Sequence, residues 1–70
     1  MTLTTLEILE FCKTPRTTAE ISALEHAGYS GNLCRHSLLS RTYRRMERLE
    51  KAGRVKKTIS DHNAWWEVVE

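Results

Sequence analysis

Seventy residues, with eleven Lys or Arg, nine Asp or Glu and a net charge of +2, leave room for one small domain, residues 1–70. No apolar run approaches the ~18–20 residues that cross a bilayer, and the opening MTLTTLEILEF lacks the charged start and small-residue cleavage site of a signal peptide. These features exclude a membrane-spanning chain and point to a cytoplasmic protein; Met1 suggests a complete small gene product.

The first helix is announced by Thr4-Thr5-Leu6-Glu7, a capping box in which hydroxyl and carboxylate satisfy each other's orphan amides. It is expected over about Thr5 to Lys13. At helical spacing Ile8, Leu9 and Cys12 share a face, flanked by Leu6 and Phe11, a stripe wide enough to be covered on more than one side. Pro15 stops it and KTPR is the connection. A second box, Thr17-Thr18-Ala19-Glu20, opens a helix to about Ala27, with Ile21 and Leu24 facing inward and Ala23 and Ala27 beside them.

Gly28, Ser30 and Gly31 then break the chain, and Asn32 is placed to cap the next helical segment. One unbroken helix from Leu33 to Ala52 would put Arg35 on the face of Leu39, Met46 and Leu49. The phase therefore predicts a break near His36 to Ser40, with Ser40 as N-cap of a third helix over about 40–52. That helix packs through Leu39, Thr42, Met46 and Leu49, and Gly53 ends it in a left-handed conformation.

Two β-prone runs close the chain, Val55 to Ile59 and Ala64 to Val69, joined by the four-residue turn SDHN. This hairpin, about 55–69, pairs Val55 with Val68, Lys57 with Trp66 and Ile59 with Ala64. On the other face Lys56 meets Glu67 and Thr58 meets Trp65. Val55, Ile59, Trp66 and Val68 are expected against the helices, with Trp65 outside. The fold class is therefore mainly α with a C-terminal β-hairpin, an α+β arrangement.

Charge is distributed unevenly. Ser40 to Lys57, SRTYRRMERLEKAGRVKK, holds eight Lys or Arg against Glu47 and Glu50, a balance of +6, while the rest of the chain stands at −4. Opposite Met46 and Leu49 the helix carries Arg41, Arg44, Arg48 and, near its end, Lys51, with Arg45 on the flank. Such a stripe suits a helix in the major groove, where Arg pairs with guanine O6 and N7 and other cations neutralise phosphates. An ordinary solvated face is the plainer explanation, but it gives no reason to crowd repelling arginines such as Arg44 and Arg48 at i, i+4.

TTAEIS followed by SRTYRRMERLEKAGRVKK resembles the winged helix-turn-helix DNA-binding family, and the terminal hairpin matches that family's wing in type and length. The resemblance implies three helices and a wing, sequence-specific binding of double-stranded DNA, transcriptional regulation and homodimers reading paired half-sites. One departure stands out. HAGYSGNLCRHSLL replaces the family's short turn and is expected to add a short helical turn between the second and third helices.

The implied DNA-binding residues are Ser40, Arg41, Tyr43, Arg44, Arg45, Arg48, Lys51, Lys56 and Lys57. Arg44 and Arg48 are the first choices for bases, and Arg41 and Arg45 for phosphates. Ser40 serves as cap and phosphate contact, Tyr43 lies at the margin of core and groove, and Lys56 and Lys57 lie on the wing. No cofactor, small-molecule substrate or catalytic set is expected. Cys12 and Cys34 have no CxxC spacing and read as small buried hydrophobes, and His26, His36 and His62 as surface or loop residues. The rival class is a protein-interaction module docking through apolar surface and a spare Trp, since neighbouring Trp65 and Trp66 must point to opposite faces of a strand.

Overall fold

Both capping boxes form. Thr4 Oγ1 accepts from the Glu7 N–H at 3.2 Å and Glu7 Oε1 from the Thr4 N–H at 3.0 Å; Thr17 and Glu20 repeat the exchange at 3.2 and 3.0 Å. They start α1, Thr5–Phe11, and α2, Thr18–Glu25, in the computed structural model, which describes residues 3–69. The remaining elements are β1 (Arg16–Thr17), α3 (Arg35–Lys51), β2 (Val55–Ser60) and β3 (Asn63–Val68). The architecture is α+β, three helices and an antiparallel sheet in the order β1-β3-β2.

The hairpin has the expected register, Val55↔Val68, Lys56↔Glu67, Lys57↔Trp66, Thr58↔Trp65 and Ile59↔Ala64. Its loop is shorter than expected, because Ser60 pairs with Asn63 and only Asp61 and His62 remain unpaired. Both have positive φ, 52° and 64°, as a type I′ turn requires to match strand twist. Val55 and Trp66 are buried against the helices and Val68 packs beside them. Ile59 lies on the same face but is 63% exposed, because the hairpin tip extends past the core. Trp65 points to the opposite face and is half-buried near Pro15, Thr58 and Glu67. β1, read from sequence only as part of a connection, pairs Arg16 with Trp66 and Thr17 with Trp65.

The third helix starts earlier than its phase suggests. It runs unbroken from Arg35 with Cys34 as N-cap, so Ser40 lies inside it, Asn32 does not cap it, and no extra helical turn separates it from α2. The physical reason is that Arg35 and His36 are exposed at its start, where no core imposes a face on them. Only from Thr42 onward does the helix bury a stripe, with Thr42 and Met46 fully buried and Leu49 packed beside them. At its end Arg54 N–H donates to the Leu49 carbonyl and Gly53 N–H to that of Glu50, each at 2.9 Å. With Gly53 at φ 74°, this is a Schellman termination.

Ile8, Leu9, Cys12, Ile21, Met46, Val55 and Trp66 form the core. Two expectations for its margin fail. Leu24 is 42% exposed and Ala23 and Ala27 are also exposed; α2 instead turns Ile21, Ser22 and Glu25 inward. Leu6 is 76% exposed, so none of the described elements covers that side of α1.

The cysteines also differ, since Cys12 is buried and Cys34 exposed. Burial pushes the Cys12 thiol up from 9.0 to about 11 against the opposing charge of Arg16, whereas the hydrogen bond from Ser37 holds Cys34 below its ordinary value. Iodoacetamide at neutral pH should therefore label Cys34 first and Cys12 only on unfolding, as peptide mass spectrometry can check. The raised folded value of Cys12 stabilises the neutral thiol. Its contribution is fully present below the unfolded value of 9.0 and is lost as pH rises toward about 11. Equal labelling of both thiols in the native protein would contradict the burial of Cys12.

Candidate functional site

Helix geometry, at about 100° per residue, gathers Arg41, Arg44, Arg48 and Lys51 into a sector roughly 80° wide on the side of α3 away from Thr42 and Met46. All four are exposed, and among the described residues none makes an ion pair. Glu47 and Glu50 fall on the flank toward the hairpin, close enough to Lys57 to act on its charge. The positive side of α3 is thus tilted away from the hairpin and toward the end of α2.

There the arginines meet an acid. Arg41, Arg44, Arg45 and Arg48 line a shallow cleft with Glu25 and His26. Glu25, the last residue of α2, is only 3% exposed. Its Oε1 accepts from Thr42 Oγ1 at 2.9 Å, and its Oε2 is in close contact with Arg45 Nη1. His26 Nε2 lies 3.5 Å from the same carboxylate and 3.3 Å from Thr42 Oγ1. Two α3 side chains three residues apart therefore clasp the end of α2 beneath the exposed cations.

The hairpin lysines separate. Lys56 is on the outer face of the sheet and pairs with Glu67 at 3.3 Å. Lys57 is on the helix side, where its ammonium donates to Tyr43 Oη at 3.2 Å and stands 5.5 and 5.8 Å from the Tyr43 and Trp66 ring centroids. That hydrogen bond, aided by the charges of Glu50 and Glu47, holds the Lys57 ammonium above the ordinary lysine value. Tyr43 also meets Trp66 edge to face at 5.5 Å, so its ring and its Lys57-bound hydroxyl join α3 to the hairpin.

Of the residues read from sequence, then, Arg41, Arg44, Arg48 and Lys51 form one exposed group. Tyr43 and Lys57 form a second toward the hairpin, and Ser40 lies in the groove between them and the hairpin tip, with His36, Ile59 and His62. Lys56 belongs to neither, and Arg45 is committed to Glu25. Sequence reading missed Glu25, His26 and Thr42 as a group. The available sign was Glu25 itself, four residues after Ile21 and hence a charged residue on a buried face, where it needs a partner.

Among the described residues no cluster of three or more His, Cys, Asp or Glu could hold a metal ion, and no helix is long and apolar enough to cross a membrane. Comparison with protein-family models, curated proteins and solved structures found no match to this chain.

Proposed function

We propose that the chain is a winged helix-turn-helix domain that binds double-stranded DNA in a sequence-specific way and acts as a transcriptional regulator. α2 and α3 serve as the helix-turn-helix, α3 as the reading helix and the β2–β3 hairpin as the wing. The observation that carries the reading is the group Arg41, Arg44, Arg48 and Lys51 on the exposed side of α3, unpaired among the described residues. Like charges so close repel, and a polyanion relieves that repulsion while releasing its own counterions. A helix fits the major groove, so Arg44 and Arg48, at the centre of the group, are assigned to guanine edges. Arg41 and Lys51, at its ends, are assigned to phosphates. Lys57 approaches the flanking backbone, and Lys56, already paired on the far side of the wing, contributes little.

A binding selection on random duplexes at two salt concentrations tests this. A single enriched motif, with affinity falling as salt rises, is the expected result. Sequence-independent binding would leave only a basic surface, and no binding at low salt would overturn the reading.

A second reading, an interaction module, is favoured by the apolar depression of Leu3, Leu6, Phe11 and Leu24 between α1 and α2. The occupant consistent with paired half-sites is a second copy of this chain, which would cover Leu6 and Leu24 on both protomers. Sedimentation at micromolar concentration should then give twice the chain mass, and Leu6→Glu should return it to the monomer mass. A wild-type monomer at hundreds of micromolar would remove the homodimer and leave DNA binding untouched.

A further inference from the structure

The carboxylate of Glu25 sits under the cationic side of α3, and its position has a consequence for which arginines act there. Four arginines surround the cleft, but their circumstances differ. Arg41, Arg44 and Arg48 are exposed and, among the described residues, unpaired, while the Arg45 side chain is 24% exposed and bound to a carboxylate that is 4% exposed. Glu25 is further fixed by Thr42 at 2.9 Å, so it cannot follow Arg45 outward without losing a second bond. Withdrawing Arg45 would strand a buried charge, which is strongly unfavourable.

We propose that Glu25 is a positioning residue that decides which arginines of α3 are available to a polyanion. By holding Arg45 it withdraws one guanidinium from the binding surface and leaves Arg41, Arg44 and Arg48 as the working set. The pair also fixes the rotation of α3 on α2, because Thr42 and Arg45 grip the same carboxylate from successive turns. This inference rests on the DNA-binding reading and corrects the assignment of Arg45 to a phosphate.

The salt dependence of duplex binding separates the roles, because each phosphate contact adds about 0.9 to the slope of log affinity against log salt. The experiment titrates a mixed-sequence duplex with wild-type protein and with Arg44→Ala, Glu25→Gln and the double variant Glu25→Gln/Arg45→Gln, each checked for folding by circular dichroism. The double variant keeps a neutral hydrogen-bonded pair and the same net charge, so it avoids the stranded carboxylate of Arg45→Gln alone. Its slope is expected to equal that of wild type, because Arg45 makes no contact to lose. Glu25→Gln keeps the bond from Thr42 but frees the charge of Arg45, and is expected to steepen the slope by about one. A purely structural role for Glu25 could weaken binding but would not steepen the slope. A double variant whose slope falls by about one, or a Glu25→Gln slope equal to wild type, overturns the proposal while leaving DNA binding intact. Failure of the wild type to bind any duplex overturns the DNA reading and this inference with it. A loss in Arg44→Ala together with an unchanged double variant supports both.

Discussion

Trp66→Ala is expected to cost ~3–5 kcal/mol of folding stability, the range for emptying a buried aromatic site. Trp66 is fully buried in the middle of β3 and belongs to the core cluster with Ile8, Ile21, Met46 and Val55. Its indole N–H donates to Thr18 Oγ1 at 2.8 Å, tying the sheet to the first turn of α2, while its ring meets Tyr43 of α3. A chain of this length has roughly 4–10 kcal/mol in all, so the substitution should remove from about a third to all of its stability. Trp65→Ala removes an equal volume from the half-buried opposite face and should cost clearly less. Urea denaturation followed by far-UV circular dichroism compares the two. If Trp66→Ala proved as stable as Trp65→Ala, the assignment of the two faces of β3 would be wrong.

The second large effect is on binding. Arg44→Ala/Arg48→Ala is expected to weaken the preferred duplex by ~2–6 kcal/mol, at about 1–3 kcal/mol for each base-reading arginine. That corresponds to a loss of about 30-fold to 20,000-fold in affinity. Both side chains are exposed and unpaired among the described residues, so the fold should be unaffected and the loss attributable to contact. Preference should relax at the positions these residues read. Lys57→Ala should instead weaken all sequences alike and reduce the salt slope by about one, whereas Lys56→Ala, removing a residue paired with Glu67 on the other face, should bind nearly as wild type does. Should the double arginine variant bind its preferred duplex as tightly as wild type, α3 is not the reading element and the interaction reading moves ahead.

Both expectations start from features that the chain itself makes legible. The inward face of Trp66 and the outward face of Trp65 are legible in the chain, because a strand alternates its side chains and only one register pairs Val55 with Val68 and Lys56 with Glu67. The helix starts at Thr4 and Thr17 and the stop at Gly53 are equally legible, since each depends on residues within one turn of one another. So is the grouping of Arg41, Arg44, Arg48 and Lys51, which needs only the helical period.

Tertiary contact decided the rest. Periodicity places Leu24 inside, but α3 offers Thr42 and Arg45 to the neighbouring face of α2, and Glu25 takes the buried position. The phase misplaces the start of α3 because it is informative only where a helix is covered, and Arg35 and His36 project beyond the core. β1 is not legible because two residues carry no period, and only β3 beside them makes them a strand. Local geometry is written in neighbouring residues, so the sequence by itself determined the starts of α1 and α2, the end of α3, the hairpin register and the cationic side of α3. Which charges are free, and which are consumed by the fold, depends on residues as far apart as Glu25 and Arg45, and that only the packing of α2 on α3 could decide.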